Sequence, residues 1–187
     1  MISNIIIRLL TPSDTYPEML ETFQHRQIIL NKWVKNGESY ELTKAYEIRE
    51  WSKEKKIWIS QYLCQQMNRG GFIVGAFLNN QIVGFACLDG ILRGVPEKYV
   101  NLTMLFIDDN WRRKGIGKKL FQQMCLYAKN MEADKIFISA IPSYDTISFY
   151  FNMGCSDAQY IIDSFIDTEE DRYLEYDLKR MKVFTRS

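Results

Sequence analysis

A single histidine, His25, is all that 187 residues contain, and the four cysteines, Cys64, Cys87, Cys125 and Cys155, stand singly with no C-x-x-C pair. A zinc site needs several His or Cys ligands at close spacing, so no metal is expected. The scattered cysteines lie in apolar or helical stretches and read as small buried hydrophobes rather than as disulfides or reactive thiols. A Ser-His-Asp or Cys-His hydrolase would have to use His25, which has no nucleophile near it in the sequence, and that class is set aside. An excess of either charge is missing too. With 24 Lys and Arg against 23 Asp and Glu the net charge is +1, so no overall field draws the chain to nucleic acid or to an anionic membrane. The longest apolar runs, such as Phe72–Leu78 and Ile82–Leu88, fall far short of the roughly 20 residues that span a bilayer. The opening Met1-Ile-Ser-Asn-Ile has neither the basic segment nor the cleavage site of a signal peptide, and a soluble cytoplasmic protein is expected.

What the chain does have is an ordinary globular composition, 47% hydrophobic and 25% charged, at a length that suits one domain spanning residues 1–187. Ile5–Leu10 reads as a strand, and Thr11-Pro12-Ser13-Asp14 has the spacing of a capping box that opens a helix. From Tyr16 to about Cys64 the pattern is read as helical but broken by a turn at Asn36-Gly37, giving two or three helices. Within it, residues 31–60 form a helical insert that would cover an acceptor site. Phe72–Leu78 and Gln81–Leu88 are β-rich and separated by Asn79-Asn80, residues that tolerate positive φ, which predicts a hairpin. After a loop over Asp89–Lys98, the stretch Tyr99–Ile107 is too densely apolar for a one-sided sheet and is read as a central strand. An amphipathic helix then runs from about Gly115 to Asn130, followed by a strand Lys135–Ile141, a short helix through Met153 stopped by Gly154, and a strand at Tyr173–Leu178. The fold class is α/β or α+β, with a mixed sheet flanked by helices.

The turn between the central strand and the amphipathic helix carries the chemistry. Arg112-Arg113-Lys114-Gly115-Ile116-Gly117-Lys118-Lys119 sets five cations and two glycines at a helix N-terminus. The first turn of a helix exposes unpaired N–H groups and the positive end of the macrodipole, and glycines let the backbone close on a phosphate. Cations placed against the dipole are unfavourable unless an anion joins them. Neither a Walker A loop nor G-x-G-x-x-G is present, since Leu120 holds the third glycine position, which disfavours ATP and dinucleotides. One basic cluster without interleaved aromatics does not make a nucleic-acid surface.

Arg112-x-x-Gly115-x-Gly117, set between a strand and a helix, resembles the R/Q-x-x-G-x-G/A signature of the GNAT N-acetyltransferase superfamily. Downstream, Ser143-x-x-Thr146-x-x-Phe149-Tyr150-x-x-x-Gly154 is similar to that family's N-x-x-A-x-x-F-Y-x-x-x-G-F segment. The resemblance covers about residues 72–178, with Ile5–Asp14 as the first strand. It implies a mostly antiparallel sheet splayed at its middle, with acetyl-coenzyme A as cosubstrate in the cleft, its pyrophosphate on Arg113, Lys114, Gly115, Ile116, Gly117 and Lys118, and Arg112 also among the cofactor-binding residues. The backbone of Leu105, Phe106 and Ile107 would then bind the pantetheine arm and polarise the thioester, Ser143 would stand in for the family's asparagine, and Tyr150 would protonate the departing thiolate. The family's glutamate base has no counterpart, because Asn101, Thr103, Ile138 and Ser139 occupy the strand positions. Glu97, Asp89 or a water chain are the substitutes, and the base stays unassigned.

The resemblance implies acetyl transfer to a primary amine by direct attack in a ternary complex, where proximity does most of the work. Tyr160–Leu178 holds seven acidic residues against one arginine, and Asp163, Asp167, Glu169, Glu170 and Asp171 suggest a cationic small molecule as acceptor. Two alternatives stand beside this: a non-catalytic coenzyme A-binding regulatory module, and a peptide or protein N-terminal acetyltransferase. A sheet ending at Tyr173–Leu178 could pair across a homodimer edge.

Overall fold

The computed structural model describes residues 5–181. Seven strands form one sheet in the order β1-β4-β5-β6-β7-β9-β8, and two more form a separate ribbon, β2-β3. The sheet strands are β1 (Ile6–Leu9), β4 (Phe72–Leu78), β5 (Gln81–Leu88), β6 (Tyr99–Ile107), β7 (Lys135–Ala140), β8 (Ser156–Asp157) and β9 (Arg172–Asp177). The ribbon is β2 (Arg26–Asn36) and β3 (Ser39–Glu50), and the helices are α1 (Lys53–Asn68), α2 (Ile116–Asn130) and α3 (Tyr144–Asn152). All sheet neighbours are antiparallel except β6 and β7. The expected mixed, mostly antiparallel sheet flanked by helices is therefore what the chain adopts.

The two faces of the sheet hold different cores. Ile116, Leu120, Phe121, Met124 and Ala128 of α2 pack with Ile147 and Tyr150 of α3 on Val74, Val83, Val100, Ile136 and Ile138. On the opposite face, Ile59 and Leu63 of α1 meet Phe23, Ile73, Phe85 and Cys87. Burying each such side chain contributes roughly 1.5–3 kcal/mol before conformational entropy is counted. Asn79 and Asn80 turn the β4-β5 hairpin with φ of +48° and +63°, as their residue type predicts.

The decisive feature lies between β6 and β7. They pair only over Tyr99–Asn101 and Lys135–Phe137. Beyond that, β6 stays with β5 through Ile107 while β7 stays with β9 through Ala140. From Leu102 and Ile138 onward the two strands diverge, leaving one backbone edge of each without a sheet partner.

Three expectations are corrected. Residues 31–60 are not a helical insert: residues 26–50 form a two-stranded antiparallel ribbon that turns at Gly37-Glu38, and only α1 is helical. Glu, Lys and Arg give the segment a helix-like composition, but Tyr40, Leu42, Tyr46 and Ile48 alternate with Glu41, Thr43, Glu47 and Arg49 at a period of two. The capping box at Thr11 forms, with the Thr11 N–H and hydroxyl both donating to Asp14 at 2.7 Å. It opens only one 3-10 turn, Pro12–Asp14, because Pro17 disfavours a helical residue at Tyr16. Lastly, Tyr173–Leu178 is not a sheet edge, since β8 pairs with β9 on its outer side.

Candidate active site

The divergence of β6 and β7 opens a cleft of about 890 Å³. At one end stands the N-terminus of α2. Arg113 and Gly115 adopt positive φ, +58° and +78°, and curl the backbone ahead of the helix. The N–H groups of Ile116, Gly117 and Lys118 find no acceptor among the described residues. A Cβ on Gly115 would meet nothing within 4 Å, whereas one on Gly117 would reach the Phe149 ring at 3.2 Å. Arg112, Arg113 and Lys118 are exposed and line the cleft, with Arg112 paired to Asp109 at 2.7 Å. Lys114 turns aside, its Nζ 4.3 Å from the centre of the Trp111 ring. These features suit the diphosphate of coenzyme A: unpaired donors, a positive helix end and exposed cations.

Leu105, Phe106 and Ile107 form one wall, on the edge where β6 has left β7. Tyr150 forms part of the opposite wall. It is 7% exposed, and its ring meets Phe121 and Phe149 in edge-on contacts at 6.1 and 5.1 Å. Its hydroxyl has no hydrogen bond among the described residues, and burial pushes the phenol pKa upward, so the proton is held throughout the neutral range.

Of the positions singled out from sequence, Lys114 and Ser143 do not line the cleft. Ser143 is buried behind the wall, where its Oγ accepts the Thr146 N–H at 3.2 Å as the cap of α3, accepts Gln27 Nε2 at 3.0 Å, and donates to Thr146 Oγ1 at 2.8 Å. With those bonds made, Ser143 orders the helix and ties β2 to it, while Gln27 and Thr146 reach the cleft instead. Gln27 carried no local signal, because its place depends on a ribbon that composition had concealed.

His25 also lines the cleft, stacked on Trp51 at 4.3 Å and set edge-on to Phe106 at 5.3 Å. Burial, then nearby Arg112, lowers its pKa, so the imidazole is neutral at neutral pH. All four cysteines are free; Cys87, Cys125 and Cys155 are buried as read, whereas Cys64 is half-buried, and burial pushes the Cys87 and Cys125 thiols up to about 12. Among the described residues no group of His, Cys, Asp and Glu is placed to hold a metal ion, and no helix is long and apolar enough to cross a membrane.

Two members of the acidic C-terminal run, Asp167 and Asp171, line the end of the cleft away from the basic loop, on the face of the sheet opposite α2. Asp163, Glu169 and Glu170 do not line it. Neither of the proposed bases is brought there: Glu97 pairs with Lys135 at 2.7 Å, and Asp89 accepts the Ile91 N–H within its own loop.

Comparison with known proteins agrees with this geometry. A Bacillus anthracis protein described as a streptothricin acetyltransferase, solved with acetyl coenzyme A, superposes with a TM-score of 0.65 at 19% identity, covering 93% of this chain and 99% of its own. A nourseothricin acetyltransferase gives 0.62 at 14% identity, covering 91% and 95%. The ribosomal-protein-S18-alanine N-acetyltransferase from Escherichia coli gives 0.59 at 12% identity, covering 98% and 99%. No curated protein sequence matches. The family model described as Acetyltransferase (GNAT) family matches residues 29–154, and the chain belongs to that family, as an acetyltransferase that uses acetyl-coenzyme A.

Proposed function

We propose that the protein transfers the acetyl group of acetyl-coenzyme A to a primary amine of a small cationic molecule, by direct attack in a ternary complex. The observation that carries this reading is the polarity of one cleft, with basic side chains and free helix N–H groups at one end and the Asp167 and Asp171 carboxylates at the other. No basic side chain pairs with either carboxylate among the described residues, although Asp171 is only 8% exposed. A buried carboxylate without a cation is costly, and a cationic substrate supplies the missing charge.

Acetyl-coenzyme A supplies the activated acyl group, and the chain's residues supply position and charge. The loop from Arg112 to Lys118 holds the pyrophosphate. The open edge at Leu105, Phe106 and Ile107 offers main-chain groups to the pantetheine arm and to the thioester oxygen, which gains negative charge as the amine adds. Tyr150 offers its proton to the departing sulfur. The ribbon residues Gln27, Ile28 and Arg49 border the acceptor.

The test is thiol release from acetyl-coenzyme A against polyamines, aminoglycosides, amino acids and short peptides, with thermal unfolding in coenzyme A alongside. Turnover confined to cationic small amines is expected. Turnover on peptides alone would favour a protein N-terminal acetyltransferase, and stabilisation by coenzyme A without turnover on any amine would favour a binding module.

A further inference from the structure

Acetyl transfer to an amine needs a proton acceptor, because an amine is an ammonium ion at neutral pH and attacks only once its lone pair is free. Neither β6 nor β7 presents a carboxylate to the cleft. Among the described residues the acidic side chains that line it are Asp145, Asp167 and Asp171. Asp145 lies in the first turn of α3, on the side of the sheet where α2 presents its phosphate-binding turn.

Asp167 and Asp171 approach from the other side. Ile138 and Ala140 pack in the core beneath α2, so Ser139 between them faces the opposite way by strand alternation. Its hydroxyl donates to Asp171 Oδ2 at 2.8 Å and accepts the Asp167 N–H at 3.1 Å. The segment is held further by Phe165, buried against Phe137 at 5.9 Å, and by the Tyr173 hydroxyl, which donates to the Thr168 carbonyl at 3.1 Å. This fixes the backbone of Asp167 against β7 just where that strand has parted from β6.

We propose that Asp167 is the catalytic base that removes a proton from the acceptor ammonium, while buried Asp171 holds the cation in place; this rests on the amine-acceptor reading above. The Asp167 side chain is exposed, lines the cleft and makes no ion pair among the described residues. The groups facing it are Asp171 on its own segment and Lys55 and Tyr62 on α1. Burial, then the neighbouring Asp171 charge, raises its pKa to about 6, with Lys55 opposing. A base that titrates near neutrality can take a proton and release it to water at each turnover. The proton balance closes. The ammonium gives one proton to Asp167, the amine nitrogen forms the new C–N bond, and the C–S bond breaks. The sulfur takes a proton from Tyr150, which recovers one from the acylated nitrogen, and Asp167 passes its proton to solvent.

The experiment measures kcat/KM against pH, from about 5 to about 9, for wild type, Asp167→Asn, Asp167→Glu and Glu169→Gln, with the best amine from the panel. The range brackets the base. Stabilisation by coenzyme A is measured for each. Asp167→Asn is expected to keep that stabilisation, to lose on the order of 100-fold in kcat/KM at neutral pH, and to rise steadily with pH as the free amine accumulates. Asp167→Glu should restore the acid limb, and Glu169→Gln, exposed and outside the cleft, should match wild type. An acid limb unchanged in Asp167→Asn would overturn the assignment while leaving the amine acetyltransferase intact. No turnover of any amine by wild type would instead overturn the parent reading, and this one with it.

Discussion

Arg172 of β9 and Asp157 of β8 meet in a two-bond fork, with Nε donating to Oδ1 at 2.7 Å and Nη2 to Oδ2 at 2.8 Å. The Arg172 side chain is buried whereas Asp157 is half exposed. Around the guanidinium stand the rings of Tyr40 at 4.0 Å, Phe151 at 5.0 Å and Trp33 at 5.1 Å. One side chain thus joins the outer strands, the ribbon and α3, and the ribbon carries Gln27 and Arg49 to the cleft. Lysine keeps the charge but loses the planar fork and its stacking. Arg172→Lys is expected to cost about 1–2 kcal/mol, read as a fall in Tm, and to speed hydrogen exchange in β2 and β3.

Gly117 and Phe149 set a second expectation. A methyl group on Gly117 would stand 3.2 Å from the Phe149 ring, which itself packs 5.1 Å from Tyr150. It would also intrude on the helix turn whose N–H groups are free. Gly117→Ala is expected to raise the KM for acetyl-coenzyme A roughly tenfold, about 1.4 kcal/mol of binding. Initial rates at saturating amine check this, together with a smaller thermal stabilisation by coenzyme A.

Tyr150→Phe removes a single hydroxyl from a buried ring whose apolar contacts phenylalanine keeps. Under the proposed role of Tyr150 as proton donor to the leaving sulfur, kcat should fall on the order of 100-fold with little change in KM. An unchanged kcat would remove Tyr150 from that role.

The stretch from β6 through the start of α2 was legible because its chemistry is contiguous: strand, basic turn and helix follow one another from Tyr99 to Asn130. The Asn79-Asn80 hairpin and the Ser143 and Gly154 boundaries of α3 are equally local. The ribbon was hidden because Glu, Lys and Arg between its alternating apolar residues mimic a solvated helix, and its pairing is settled by contacts with α3 and Arg172. The acidic run announced a charge but not which carboxylates face the cleft. That selection comes from Ser139, some thirty residues earlier in the chain, through its bonds to Asp171 and Asp167. Ser143 occupied the expected place in a motif, yet its hydroxyl is engaged by Gln27, a partner from a segment with no motif at all.

Asp171→Asn separates the two carboxylates by role. Asp171 raises the pKa of Asp167, so neutralising it should move the acid limb of kcat/KM to lower pH, while Asp167→Asn abolishes that limb. The KM of a cationic amine should rise roughly tenfold, for the loss of about one charge contact. A KM that stays constant for a polyamine and an aminoglycoside alike would remove Asp171 from substrate binding.

Asp167 also leaves a mark on stability that is independent of catalysis. Its folded pKa, about 6, lies above the roughly 3.9 of an unfolded aspartate. Below the lower value it is protonated in both states and contributes no pH-dependent difference. As pH climbs through the interval the unfolded chain ionises first, and above the folded pKa the native state carries an ionised carboxylate beside Asp171, at a cost that solvent screens because Asp167 is exposed. Asp167→Asn never bears it. The Tm of the variant relative to wild type should therefore rise between about pH 4 and about pH 6 and then level off. Thermal unfolding across that range, without substrate, measures it. A difference independent of pH would mean that Asp167 titrates as a solvated carboxylate and lacks the environment of a base.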